Sequence, residues 1–250
     1  MATIRQYPKR QAMRKAVLFL LFLFFPVVMN FISPYVIIDG TLQGIISGSF
    51  IMFGVMFVLS LVFGRLWCAW VCPGAGMEEA CFMVNDKPAR GGKLNWIKWG
   101  IWFVWIGVIA FAAISAGGYR KVDFLHLTET GISVDEPFKY ITYYMVLIPI
   151  FLLSIFAGRR AFCHYGCWMA PFMIIGRKIR NALNTPALRL VAEKDRCINC
   201  KKCTQGCPMS LDVNGMVQAG SMENSECILC GNCIDTCPKN VIRYSFSRGK

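Results

Sequence analysis

Eight of the thirteen cysteines in this 250-residue chain fall in two matched runs near its C-terminal end: Cys197, Cys200, Cys203 and Cys207-Pro208, then Cys227, Cys230, Cys233 and Cys237-Pro238. In each run three thiolates, each separated from the next by two residues, can converge on three irons of one cubane, and the fourth ligand must come from elsewhere. The spacing points to iron–sulfur ligation and one-electron chemistry, not to hydrolysis or group transfer. Zinc favours paired C-x2-C knuckles, and disulfide frameworks belong to secreted chains. The doubled, proline-terminated run disfavours both.

The run C-x2-C-x2-C-x3-C-P resembles that of the bacterial two-cluster ferredoxins. There the cysteine before the proline serves the other cluster. The resemblance implies one 4Fe-4S cluster on Cys197, Cys200, Cys203 and Cys237, and a second on Cys227, Cys230, Cys233 and Cys207. Closed four-thiolate ligation leaves no open coordination site, so the clusters are expected to carry electrons without binding substrate. Arg196, Lys201 and Lys202 are expected to raise the potentials and to favour an acidic partner surface.

A second cysteine system precedes the first. Arg65-Leu66-Trp67-Cys68-x3-Cys72-Pro73 recurs as Arg160-Ala161-Phe162-Cys163-x3-Cys167. Residues four apart share one helix face, so two such pairs could supply four thiolates to a further metal centre or form a redox-active dithiol site. The competing reading is a structural turn in which Cys68, Cys72, Cys163 and Cys167 act as small buried hydrophobes. The second copy has Trp168-Met169-Ala170-Pro171 where the first has Pro73. Cys81 has no counterpart and reads as structural.

The elements that position these cysteines belong to a membrane protein. With 56% hydrophobic residues, 16% charged and a mean hydropathy of +0.47, the chain is too apolar for an ordinary soluble domain. Uncharged stretches run from Ala16 to Ile38, Gly44 to Phe63, Trp99 to Gly118 and Tyr140 to Gly158, each near the ~20 residues that cross a bilayer. Pro26, Pro34 and Pro149 predict kinks, not breaks. The basic segment before the first stretch suggests a secretory signal, but the apolar run is too long and no A-x-A-like site follows, so it is expected to stay. The N-terminal tail carries five Lys and Arg (Arg5, Lys9, Arg10, Arg14, Lys15), the segment Gly64 to Lys98 five, the segment Tyr119 to Lys139 three, and everything beyond Gly158 fourteen. Basic flanks stay inside, so both termini and the cysteine motifs are expected to be cytoplasmic. The net charge of +13 reflects this bias, not nucleic-acid binding.

The expected organisation is a basic tail (1–15), an all-α domain of four transmembrane helices in two parallel hairpin repeats (16–170), an interfacial amphipathic helix and linker (171–194), and a small α+β two-cluster ferredoxin domain (195–250). Pro171 to Leu183 sets Phe172, Ile174, Ile175 and Ile179 against Arg177, Lys178 and Arg180, as surface-lying helices do. The two histidines, His126 in the outer loop and His164 inside the second motif, are badly placed for a bis-His haem. His164 could ligate a metal or relay a proton, but a solvated loop histidine is an equal reading. Trp67, Trp70, Trp96, Trp99, Trp102 and Trp105 read chiefly as an aromatic belt, with a quinone pocket as the alternative. Asp39, Asp123, His126, Glu129, Glu78 and Glu79 are candidate proton acceptors for quinol. No G-x-G-x-x-G in a βαβ setting and no Walker loop is present, which disfavours nucleotide chemistry.

The ordered set of four spans, two C-x3-C motifs and two ferredoxin motifs resembles the NapH-type membrane ferredoxins and their NosR and CcoG relatives. The resemblance covers Ala16 to Lys239. It implies an electron-relay subunit of a bacterial or archaeal inner membrane, linking quinol to a partner redox protein or larger respiratory complex, rather than a stand-alone enzyme. The expected lack of a flavin-bearing domain like that of NosR and of an immunoglobulin-like domain like that of CcoG favours the compact group. The rival expectations are a metal reductase or assembly factor for a respiratory complex, and a membrane redox sensor.

Overall fold

The computed structural model describes residues 9–128 and 130–249; Arg5 of the basic tail and the candidate proton acceptor Glu129 lie outside them. The first apolar stretch is broken. Helix α1 (Lys9–Leu23) ends before Pro26, α2 (Phe25–Val28) turns aside, and α3 (Pro34–Leu42) starts afresh with its proline in the first turn. The bend between α1 and the segment Phe25–Ile32 is 61°. Proline removes an N–H and pushes the residue before it out of the helical region, and Ser33 is accordingly extended, at φ −88° and ψ 125°. The kinks expected at Pro26 and Pro34 are therefore breaks. The carbonyls freed at Pro26 and Val27 accept hydrogen bonds from the backbone of Val134 and Ser133, as buried polar groups require.

Strand β1 (Ile45–Ser47) leads into α4 (Gly48–Phe63), and two short helices follow, α5 (Leu66–Trp70) and α6 (Pro73–Ala80). Helix α7 (Ile97–Ser115), strand β2 (Lys121–Asp123, parallel to β1) and α8 (Lys139–Ala157) come next, then α9 (Ala161–Tyr165) and α10 (Ala170–Ala182). Among the described residues two helices, Gly92–Ser115 with its leading turn and Lys139–Ala157, are long and apolar enough to cross a bilayer; the bent first pair would make a third. Helix α4, at 16 residues, is shorter than the expected second span. The outer faces of α7 and α8 are apolar and exposed, with Phe103, Val104, Phe111, Met145, Ile148 and Phe156 among them, as lipid-facing helices require.

The short helices α5 and α9 occupy the same place relative to their cysteines, and each follows a long apolar helix. The packing is reciprocal: α10 lies on α4 and α6 on α8. Contact between α10 and α4 is close because Gly176 has no side chain; a Cβ there would stand 1.8 Å from Ser60 Oγ.

The C-terminal part is built on an antiparallel pair, β3 (Ala187–Ala192) and β4 (Ile242–Ser247), with Ala187 opposite Ser247 and Ala192 opposite Ile242. Between them lie α11 (Lys202–Gln205), α12 (Val213–Gln218) and α13 (Asn232–Asp235). Most of the expected linker is thus strand. Helix α10, expected on the bilayer surface, instead has its basic face covered: Arg177 and Arg180 are buried, Arg177 pairing with Glu223 and the Cys227 carbonyl and Arg180 donating to the Val62 carbonyl. Charges that suit a headgroup layer are equally satisfied by carboxylates and carbonyls, and hydropathy patterning alone cannot separate the two.

Candidate functional site

Each C-terminal cysteine run winds as a loop that feeds a short helix. The loops carry left-handed residues at matching positions: Asn199 and Leu229 (φ 54° and 56°), Lys201 and Gly231 (φ 56° and 75°), Ser210 and Asn240 (φ 53° and 50°). A bulky residue such as Leu229 adopts this conformation only when its surroundings impose it. Backbone that alternates in this way turns successive N–H groups inward and forms the concavities that hold anionic iron–sulfur centres. Gly231 is required for a second reason: a Cβ would stand 2.6 Å from Tyr244 Oη and 3.0 Å from Arg10 Nη2. Lys201, its counterpart, is exposed and needs no such space.

Two cavities lie behind these loops. One, of about 340 Å³, is lined by Cys197, Cys200, Cys203 and Cys237. The other, of about 400 Å³, is lined by Cys207, Cys227, Cys230 and Cys233. Among the described residues no three His, Cys, Asp or Glu side chains converge on a single ion; the thiols surround spaces instead. Such spaces and inward N–H groups fit 4Fe-4S cubanes, whose thiolates stand further apart than ligands of one ion. The two cavities differ in setting. Cys200 is exposed, whereas Cys207, Cys230 and Cys233 are buried.

Cys68, Cys72, Cys163 and Cys167 are all buried and close enough to act electrostatically on one another. Cys163 Sγ donates to Glu78 Oε2 at 2.8 Å, and Glu78 Oε1 accepts the Phe162 N–H at 2.9 Å, so a carboxyl from the first repeat caps the second. In return Arg160 Nη1 donates to the Cys68 carbonyl at 2.8 Å. A cavity of about 570 Å³ adjoins the group, lined by Cys72, Cys163, Cys167, Glu78 and Trp168 with apolar neighbours from the broken first stretch.

Two buried ion clusters join the cysteine systems. Glu79 is shared by Arg14 and Arg160. Glu226, directly before Cys227, is shared by Arg65 at 2.8 Å and Lys98 at 2.6 Å. Burial works to raise both carboxyls, but the paired cations overcome it and hold each at about 2. Arg14 also donates to the Ala69 carbonyl and to Gln11, whose side chain donates to the Cys230 carbonyl. A continuous chain of hydrogen bonds thus runs from the first C-x3-C helix to the second C-terminal loop.

His164 is not a solvated loop residue. It is buried, with one ring nitrogen against the Asn95 side chain and the other 3.1 Å from the Met209 carbonyl. Burial pushes it down to about 4, so it is neutral near pH 7 with both nitrogens engaged. His126 pairs with Asp39 at 2.7 Å at the opposite end of the helices, where Asp123 bonds Lys121. Trp102 and Trp105 pack inward on Phe172, while Trp96 and Trp99 line an open groove of about 860 Å³ with Phe103, Lys178 and Glu226. Sequence reasoning had Arg65 and Arg160 only as members of the repeated motif and Arg14 only as part of the basic tail, and it gave no role to Lys98 or Glu226. Two signals were present: a basic residue three places before each C-x3-C, and a carboxylate set directly before Cys227 in a chain with only 14 Asp and Glu.

Residues 189–238 match the family model described as "4Fe-4S dicluster domain", and one further model, "4Fe-4S binding domain", matches twice, at 46–80 and 141–186. The chain therefore carries a 4Fe-4S ferredoxin-type region in a mostly helical protein. Among similar proteins are "Putative electron transport protein YccM" of Escherichia coli strain K12 (22% identical, over 76% of this chain and 54% of that one). Others are "Methylamine utilization ferredoxin-type protein MauN" of Paracoccus denitrificans (25%, 72% and 62%) and "Protein RdxA" of Cereibacter sphaeroides (27%, 67% and 40%). The matched part of the chain thus spans less than two thirds of each of these relatives. No solved structure matches.

Proposed function

We propose that the chain is a membrane-anchored iron–sulfur electron relay between quinol and a partner redox protein, of NapH-like type. The observation that carries this reading is the grouping of the eight C-terminal cysteines around two cavities in crossed sets, Cys197, Cys200, Cys203 with Cys237 and Cys227, Cys230, Cys233 with Cys207. Cubanes held there would supply one-electron chemistry. The set around Cys230 is pressed against the helical part through Gln11, Arg14 and Glu226, and the set containing Cys200 faces out beside Lys201 and Lys202. This order gives the relay an inner station near the membrane and an outer one for an acidic partner surface.

The membrane part is a four-span bundle of two repeats with both termini cytoplasmic. Three features support this: the like positions of α5 and α9, the reciprocal packing of α6 and α10, and the gathering of α1, the segment 64–98 and the cysteine loops at one end through Arg10–Asp235, Arg14–Glu79 and Lys98–Glu226. Quinol meets the groove of Trp96, Trp99 and Phe103, which opens between lipid-facing residues and reaches Glu226 beside Cys227. The test is reduction of the anaerobically purified chain by a short-chain quinol, followed by EPR. Cubane-type signals are expected, with the inner cluster's signal lost in Cys230→Ser and the reduction slowed by Trp99→Ala; iron-free protein, or clusters inert to quinols of every potential, would overturn the reading.

A further inference from the structure

The charges buried around the C-x3-C motifs do not balance. Arg14, Arg65, Lys98 and Arg160 are each at most 2% exposed, and the carboxylates that pair with them are Glu79 and Glu226. Two positive charges are left over in a space with little water. Even with Glu78 ionised, one remains. A buried charge without a counter-charge is strongly unfavourable, so a fold that assembles this surplus implies an anion at the same place.

The surplus lies at the four cysteines. Arg65 is within electrostatic reach of Cys68, Cys163 and Cys167, and Arg160 of Cys72 and Cys163, so the two cover all four. Arg65 and Arg160 hold the same position in their repeats, three residues before the first cysteine. Both also have donors to spare: Arg65 Nε and Nη2 and Arg160 Nε are buried without an acceptor, as are the indole nitrogens of Trp67 and Trp168 that flank Cys68 and Cys167. Unsatisfied buried donors are rare enough to call for an unseen partner. Here five occur on residues of the two motifs or next to their cysteines.

We propose that Cys68, Cys72, Cys163 and Cys167 hold a third 4Fe-4S cluster between the two repeats, with Arg65 and Arg160 as its fixed counter-charges. The inference rests on the relay reading and extends it into the membrane part. A cubane on four thiolates carries a net charge of about −2 when oxidised, which matches the surplus of two positive charges. It also accepts hydrogen bonds at sulfur, which the spare guanidinium and indole N–H groups can donate. The adjoining cavity is lined by three of the four cysteines. Cys68 is not part of that lining; its Sγ lies 3.8 Å from Met173 Sδ, and it is close enough to act electrostatically on Cys72, Cys163 and Cys167. A single metal ion fits less well, because no three of these side chains converge on one point. A disulfide would be neutral and would leave the charge unbalanced.

The test is iron and acid-labile sulfide in the full chain, purified anaerobically in detergent and assayed before and after reconstitution with ferrous iron and sulfide. About twelve irons per chain are expected. Cys68→Ser together with Cys167→Ser should lower this to about eight while leaving the EPR signals of the two C-terminal clusters in place. Cys81→Ser, buried but outside the quartet, should keep about twelve and serves as the folding control. About eight irons in the unaltered chain after reconstitution, unchanged by the double variant, would refute the third cluster and leave the two-cluster relay standing. Fewer than about four irons would remove both.

Discussion

Arg14 grips Glu79 with both terminal nitrogens, Nη1 to Oε1 at 2.7 Å and Nη2 to Oε2 at 2.8 Å, and both side chains are buried. The pair fastens the first helix to the segment behind Cys72, and Arg160 joins it from the second repeat. Removing one partner of a buried pair leaves an uncompensated charge and costs about 3–5 kcal/mol. Glu79→Gln strands two guanidinium groups, so it is expected to reach the upper part of that range and to lower the thermal midpoint of detergent-solubilised protein by several degrees. Lys93→Gln, on an exposed side chain, provides a mild comparison. A midpoint within a degree of the parent would mean that the latch contributes nothing.

The same pair sets a pH dependence. Burial tends to raise the Glu79 carboxyl, but Arg160 and Arg14 hold it at about 2 against an ordinary value of 4.5. A carboxyl lowered on folding gives stability that is complete above its unfolded value and is lost as pH falls from there through the folded one. The stability gap between the parent and Glu79→Gln should therefore be flat from about pH 8 to about pH 5 and should narrow only in more acid solution. Thermal unfolding of both proteins across that range decides the matter; a gap that closes by about pH 6 would contradict the paired geometry.

Gly231 and Lys201 occupy equivalent left-handed positions, yet only Gly231 lies under Tyr244 and Arg10. Gly231→Ala is expected to displace the Arg10 and Tyr244 contacts and to cost the chain the iron held by Cys227, Cys230 and Cys233, seen as a fall of about four irons per chain. Lys201→Gly removes a side chain from the same backbone conformation and should be neutral or stabilising by up to about 1 kcal/mol. Equal effects from the two substitutions would show that the asymmetry of the loops has no energetic weight.

Much of this arrangement is legible in the sequence because it depends on short-range spacing. The cysteine runs specify their own loops, and the apolar stretches of α7 and α8 were visible within a few residues of their ends. What escaped depends on contacts between distant segments. Nothing local to Glu226 says that it meets Arg65 and Lys98, separated from it by more than a hundred residues. The basic face of α10 has the same pattern whether it lies on headgroups or against Glu223. Pro26 and Pro34 mark irregular backbone, but whether it kinks or breaks depends on whether another segment can satisfy the freed carbonyls, and here Ser133 and Val134 do so.

Glu226 tethers the inner cysteine set to the helical part through Arg65 and Lys98, all three buried. Glu226→Gln leaves two unpaired cations at that seam and is expected to loosen it locally rather than unfold the chain. Amide hydrogen exchange should then quicken at residues 223–230 and at 64–70, with α8 unchanged. Exchange rates that stay at parental values along the seam would mean that packing alone holds the parts together.

Lys201 and Lys202 stand beside exposed Cys200 on the outer set, with Ile198 exposed between Cys197 and Asn199. A positive rim around an exposed redox station speeds encounters with negative reactants, and ionic strength screens the effect over about 10 Å at 0.1 M salt. Oxidation of the reduced chain by an anionic probe such as ferricyanide should therefore slow several-fold between about 10 and about 150 mM salt. Lys201→Glu with Lys202→Glu should slow it further at low salt and abolish most of the salt dependence, while a neutral oxidant reacts with parent and variant alike. Loss of rate with both oxidants would point to damage at the cluster instead, and a variant that keeps the parental salt dependence would remove the basic rim from the docking face.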